Sequence, residues 1–361
     1  MEKKKEIVMS GIRPTGWLHL GNYFGAVRNY VKMQDTYSCY FMVADWHALT
    51  TLRETKELRE HVSRVMAENI ACGLNPDKVA FYCQSHVPET AELYLFLNML
   101  AYVGELEKTP TFKDKVRLQP QNVNAGLLTY PVLQAADILL HRATLVPVGK
   151  DQEQHLEMAR NFSNRFNQRY GQVFPEPYAF NFGVELARVP SLDGAGKMSK
   201  SENQNATLYL ADDNKTIRDK IKKAKTDSGS GVRVEDTAGV TVGELKDTKI
   251  ERGGNAGAGG VREKSEAVAN LFQLLRLVSI PEVVQKFEAD YEAGTIRYGD
   301  MKKELGEAMV AFIAPIREKA EAIRHDEPYL RRVMEQGAAK ARASAQATLQ
   351  IAREAIGLKY Y

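Results

Sequence analysis

In the segment "DGAGKMSKS" (193–201), Lys197 and Lys200 flank Met198 and Ser199 behind Gly194 and Gly196, and Ser201 follows. Transfer of a phosphoryl or nucleotidyl group needs cations that meet the charge building on the leaving pyrophosphate. Lysines on a glycine-hinged loop can close over that charge and open again for release. A second phosphate candidate, "RPTGWLHLGNYFGA" (13–26), follows a strand-like run and opens a helix, with Gly16, Gly21 and Gly25 along it. Free N–H groups at a helix start bind anions, and His19 and Asn22 share one side of that first turn. A lone K-x-x-K or a lone strand–helix turn is common on ordinary surfaces. The pair H-x-G-N and K-M-S-K-S in one chain is specific.

A third stretch raises a different question. "YPVLQAADILLH" (130–141) reads as a buried helix, yet it carries Asp137 among Leu133, Ala135, Ala136, Ile138, Leu139 and Leu140. Removing a carboxylate from water costs several kcal/mol unless something pairs with it. Tyr130, Gln134, Asp137 and His141 fall on one helical stripe, which implies a polar pocket in an apolar helix. Pro131 is expected in the first turn, where its missing N–H costs nothing.

The elements that must position these residues alternate. "EIVMSG", "CYFMVAD", "VAFYCQ" and "TLVPVG" are short β-rich runs ending in turn residues. Between the second and third lies "ETKELREHVSRVMAENIACG", in which Leu58, Val62, Val65, Met66 and Ile70 mark one helical face. Strands alternating with helices imply a parallel α/β sheet, whose ligands bind beyond the carboxyl ends of the strands. Neither a G-x-G-x-x-G fingerprint nor a P-loop is present. Beyond about residue 210 the pattern turns helical. "DDNKTIRDKIKKAKTD" has acid at its start and a basic body, and residues 228–262 form a Gly-rich insertion.

The 361 residues suffice for two domains, and a net charge of +3 identifies no partner by itself. Three widely spaced cysteines argue against a disulfide framework or a zinc site and for reduced thiols in a cytoplasmic protein. The start reads as no targeting peptide, and no apolar run approaches the roughly 20 residues that cross a bilayer.

Both signature motifs resemble those of the class I aminoacyl-tRNA synthetases. His19-Leu20-Gly21-Asn22 stands where that family has HIGH, and Lys197 to Ser201 reads KMSKS letter for letter. Asn22 in place of the last histidine is frequent in the tryptophan and tyrosine branches. "VPVGKDQEQHLEMARNFSNRF", "ADWHALT", "GELEKTPTFKDK" and "AGLLTYPVLQAADILL" make the chain similar to the bacterial tryptophanyl-tRNA synthetases. That likeness spans residue 8 to about 227 and resumes from about 268. Y-x-x-x-Q-x-x-D is also the pattern of tyrosine enzymes, so the stripe alone leaves both amino acids open. The "VPVG-DQ-QHLE" segment favours tryptophan, since tyrosine enzymes typically carry Gly-Gly-x-Asp-Gln there. Two departures stand out: Lys150 where an acidic residue is common, and Gln134 where many bacterial tryptophan enzymes have Met.

The resemblance implies a Rossmann-like parallel-sheet catalytic domain over 1–208, with a connecting segment at about 105–145 that carries the amino-acid pocket and a dimer interface. It implies a smaller all-helical anticodon-binding domain over 209–361. The expected reaction activates L-tryptophan with ATP and transfers it to the terminal ribose of tRNA(Trp). Asp137 would accept the indole N–H, and Tyr130 would help hold the α-amino group, with Gln134, His47, Met9 and Gln152 around the amino acid. Lys115, Lys197 and Lys200 would neutralise the triphosphate. His19, Asn22, Gly21, Arg13, Met198, Ser199 and Ser201 would border ATP, and Gly149 and Asp151 its ribose. Mg2+ is expected on the ATP phosphates, with no protein-built metal cage. The basic stretch at 215–225 is expected on the tRNA side, and the protein as a homodimer with no DNA or membrane partner. Two alternatives are a tyrosyl-tRNA synthetase and a synthetase-derived RNA-binding protein without catalysis, although intact phosphate motifs speak against the latter.

Overall fold

A computed structural model describes residues 5–52, 54–118, 120–148, 153–180, 189–194, 196–198, 203–227 and 264–360. Five parallel strands form one sheet in the order β3-β2-β1-β4-β5: β1 (Ile7–Ile12), β2 (Ser38–Val43), β3 (Ala80–Cys83), β4 (Leu145–Val146) and β5 (Tyr178–Ala179). β1 and β2 pair along their whole length, from Ile7 opposite Ser38 to Ile12 opposite Val43. All four residues of β3 are buried. A parallel strand covered by helices on both faces has no polar side to alternate with.

The strand order reverses at β1, whose neighbours are β2 on one side and β4 on the other. In such sheets the crevice beyond the carboxyl ends at that reversal is the ligand site. The four strands expected from the sequence are present. β5 is the addition: its two residues lie exposed after Pro175 and Pro177, too short to show any alternation.

The described chain groups into two compact units. The first comprises Met1–Arg188, Tyr209–Ala211 and Pro315–Tyr361, and the second Val189–Leu208 and Asp212–Ala314. Compactness therefore divides the chain differently from a linear boundary at 208/209. The C-terminal helix Glu327–Ile356 supplies the reason. Its small-residue face, Ala338, Ala341, Ala345, Leu349 and Ala352, is buried in the same core as Ala80 and Tyr82 of β3. Gly337 makes this approach possible, because a Cβ there would lie 1.8 Å from the Phe81 carbonyl oxygen.

Within the second unit, helix Asn214–Lys222 is capped by Asp213, whose side chain accepts the Thr216 N–H at 2.8 Å. Helices Glu266–Val278 and Pro281–Ala293 bury Leu271, Phe272, Leu275 and Tyr291. The 228–262 insertion lies outside the described residues. Among the described residues no helix is long and apolar enough to cross a membrane.

Candidate active site

A cavity of about 440 Å³ opens at the sheet reversal. β1 brings Met9 and Gly11 to it, and Arg13 follows directly; β4 and the residues after it bring Val146 and Val148. Gly11 is required by crowding, since a Cβ there would meet Met42 Cγ at 2.9 Å. Gly25 and Ala26 join the lining from a π-helical turn, Tyr23–Val27, between the opening turn Leu20–Asn22 and helix Arg28–Met33. Such turns inside helices are frequent at functional sites.

Helix Ala125–Leu140 contributes Tyr130, Gln134 and Asp137 to the lining. Asp137 is 2% exposed and already has protein partners. His47 Nε2 lies 2.8 Å from Oδ2, and Gln84 Nε2 donates to Oδ1 and Oδ2 at 2.9 and 3.0 Å. Burial raises the Asp137 pKa above the ordinary value, while the bonds from His47 and Gln84 oppose that rise. Both donors stand on short elements at carboxyl ends of strands. His47 is in helix Asp45–Leu49 after β2, and Gln84 follows β3 directly. The Asp45 carboxylate ties the two together by accepting from Ser85 N–H and Ser85 Oγ.

The lining also carries two cations. Lys115, near the end of helix Pro110–Leu118, has its Nζ 3.7 Å from the centre of the Tyr130 ring. Burial, and then the nearby Arg13 charge, lower its pKa to about 8. Burial also lowers that of Arg13, whose Nη2 donates to Thr51 Oγ1 at 2.6 Å. Two desolvated cations with depressed pKa values form a site that gains from an arriving polyanion. The Tyr130 hydroxyl is 2.7 Å from His155 Nε2, so the tyrosine is fixed from the helix that follows the "VPVGKDQ" segment.

Of the residues expected at the site, Met9, Arg13, His47, Lys115, Tyr130, Gln134 and Asp137 line this one cavity. His19, Gly21 and Asn22 lie in and just before the opening turn and are not among the lining. There the Asn22 Oδ1 accepts the His19 N–H at 3.1 Å, which commits its carbonyl rather than its amide donors. The buried Glu68 Oε2 accepts the Leu18 N–H at 3.0 Å and fixes the backbone just ahead of His19. Lys197 is in the second unit, exposed, opposite Pro190 in a short antiparallel bridge, with Met198 beside it buried. Gly194 and Gly196 take left-handed backbone angles (φ 77° and 69°) in that turn. Gly149, Asp151, Gln152, Ser199, Lys200 and Ser201 lie outside the described residues.

Two expectations need correction. Pro131 is in the interior of its helix, because Asn124 caps the helix start by accepting the Leu127 N–H at 2.9 Å. The cap lies ahead of the apolar run, so the helix starts earlier than that run indicates. His141 shares the stripe but not the cavity: Tyr82 OH (2.9 Å) and Ser344 Oγ (3.3 Å) bond its two nitrogens, and Tyr40 stacks on its ring. It is a satisfied core histidine. In the basic stretch two of the cations have acidic partners. Arg218 is bidentate to Glu307, and Lys220 pairs with Asp212 at 2.7 Å.

Gln84, Gly11, the π-helical turn and Thr111, which also lines the cavity, were not singled out from sequence. For Gln84 a signal existed, its place one residue beyond a parallel strand, but a single glutamine carries no pattern.

With this geometry, comparison with known proteins defines the class. The family model of class I tRNA synthetases (W and Y) matches residues 1–314. The chain belongs to that family. It is 50% identical over 355 residues to a tryptophan–tRNA ligase of Porphyromonas gingivalis, covering 98% of this chain and 100% of the relative. The crystal structure of tryptophanyl-tRNA synthetase from Campylobacter jejuni complexed with ADP and tryptophan superposes with a TM-score of 0.79 at 32% identity, covering 97% of this chain and 99% of the other. The enzyme from Mycoplasma pneumoniae gives 0.78 at 29%, covering 98% of each.

Proposed function

We infer that the chain is a tryptophan–tRNA ligase acting on L-tryptophan, ATP and tRNA(Trp). The observation that carries this reading is a single cavity whose lining joins a buried carboxylate acceptor, Asp137, to the two desolvated cations Arg13 and Lys115. An amino acid with a ring donor suits the first, and a triphosphate suits the second. The 50% identity to a tryptophan–tRNA ligase supports tryptophan over tyrosine.

In the first step the tryptophan carboxylate oxygen attacks the ATP α-phosphorus in line. The bond to the β-phosphate breaks, pyrophosphate leaves and tryptophanyl-adenylate remains. A terminal ribose hydroxyl of the tRNA then attacks the adenylate's carbonyl carbon, and AMP leaves. Neither step needs a side-chain nucleophile, so positioning and electrostatics carry the rate. Asp137 accepts the indole N–H. Tyr130, held by His155, meets the α-amino group, and Met9, His47, Gln134 and Gln152 shape the rest of the amino-acid site. Lys115, Lys197 and Lys200 meet the phosphate charge. His19, Gly21, Asn22, Arg13, Met198, Ser199 and Ser201 border ATP, and Gly149 and Asp151 its ribose. Mg2+ arrives with ATP as part of the substrate.

The same reading makes the protein a cytoplasmic homodimer, with the basic 215–225 stretch on the tRNA side through phosphate contacts. Charging of tRNA(Trp) transcript with labelled tryptophan tests it. Tryptophan is expected to be attached and tyrosine not; attachment of tyrosine alone overturns the reading.

A further inference from the structure

Gln84 is fully buried and is not part of the cavity lining, so it reaches the site only through other residues. Its amide is bound at both ends. Nε2 donates to Asp137 Oδ1 and Oδ2 at 2.9 and 3.0 Å, and Oε1 accepts the His47 N–H at 3.3 Å. Amide orientation is often ambiguous, but here a carboxylate on one side and a backbone donor on the other allow only one. A flipped amide would set its oxygen against the carboxylate and its NH2 against an N–H.

The pattern of bonds on Asp137 is lopsided. Among the described residues, Oδ2 takes two donors, His47 Nε2 at 2.8 Å and Gln84 Nε2, whereas Oδ1 takes Gln84 Nε2 alone. A carboxylate has about four lone-pair positions. One position on Oδ1 is left for a further donor. The frame beneath is stiff, since Asp45 accepts from both the N–H and the hydroxyl of Ser85, the residue next to Gln84.

We propose that Gln84 is a positioning residue for amino-acid selection: by holding Asp137 through both oxygens, it leaves Oδ1 as the acceptor for the substrate's ring N–H. This rests on the tryptophan reading above and deepens it. A substrate without the ring donor leaves the second position on Oδ1 buried and unfilled, which is how a polar site rejects an isostere. Without Gln84 the carboxylate is free to turn or to take a proton, and the reward for the ring N–H falls.

The test compares ATP–pyrophosphate exchange with L-tryptophan and with 3-(1-benzothiophen-3-yl)-L-alanine, in which sulfur replaces the ring N–H. The wild type is expected to prefer tryptophan in kcat/KM. Gln84→Met, of similar shape but without a donor, is expected to cut that preference about 10-fold or more, through a raised KM for tryptophan. A merely structural role would affect both amino acids alike, so a preference unchanged from wild type overturns the proposal. If Gln84→Met does not fold, Gln84→Leu, which also removes the donor, carries the same expectation and the same refutation. A wild type with no tryptophan-dependent exchange at all overturns the functional reading instead, and the inference with it.

Discussion

The side-chain amide of Gln84 donates to both carboxylate oxygens of Asp137, at 2.9 and 3.0 Å. With His47 at 2.8 Å, it opposes the rise in pKa that burial imposes on this carboxyl group. Asp137 is therefore no isolated charge inside an apolar helix. It is an acceptor built in advance and solvated by the protein on two sides.

Replacing the acceptor tests its role. Asp137→Asn keeps the shape but turns an NH2 group toward Gln84, His47 or the indole N–H, all donors. The expected loss in kcat/KM for tryptophan is about 100-fold, the scale of a buried hydrogen bond to a charged group. Exchange kinetics at varied tryptophan measure it, and a variant close to wild type would remove Asp137 from the recognition site.

Lys115 gives the enzyme a pH signature. In the free enzyme its ammonium titrates at about 8, well below the 10.5 of an ordinary lysine. Bound phosphates favour the charged form. Below that pH the lysine is already protonated and ATP binds without taking up a proton. Above it each binding event must protonate the amine, so the KM for ATP climbs, approaching about tenfold per pH unit. Lys115→Arg, which keeps its charge, is expected to flatten the climb.

Gly337 tests how the C-terminal helix is held. A Cβ at this position would sit 1.8 Å from the Phe81 carbonyl oxygen, so the helix must shift away from β3. Ala is the better helix former by about 1 kcal/mol, yet Gly337→Ala is expected to lower stability by about 1–3 kcal/mol through overpacking. Urea denaturation reads the sign: a gain would mean that the helix docks less closely than described.

His141 contributes a dependence on acid. Burial holds its pKa at about 3 in the folded protein, against 6.5 for the free side chain. The depressed folded value means that its contribution is fully present above about pH 6.5 and is lost as pH falls toward about 3, while the unfolded chain takes up the proton first. The stability advantage of wild type over His141→Phe is expected to shrink across that range, as followed by denaturation midpoints. An advantage constant with pH would show that the ring is protonated in the fold.

Much of this was legible in residue patterns. Four of the strands end in turn residues and are apolar enough to be buried on both faces, and the Val62–Ile70 face of the β2–β3 crossover helix repeats at helical spacing. Asp137, Tyr130 and Gln134 could be placed together because a helix carries i, i+4 and i+7 to one side. What could not be read depended on contacts between segments far apart in the chain. Gln84 meets Asp137 only because β3 and helix Ala125–Leu140 end near one another. His141 obeyed the stripe and left the cavity because the helix ends there, at a core position beside Tyr82 and Ser344. β5 is two residues long and has no pattern to detect.

The central claim is that this site activates tryptophan. ATP–pyrophosphate exchange by the wild-type chain, with tryptophan and tyrosine supplied separately, tests it most directly. Exchange is expected with tryptophan and at background level with tyrosine; exchange supported by tyrosine alone, or by neither amino acid, would contradict it.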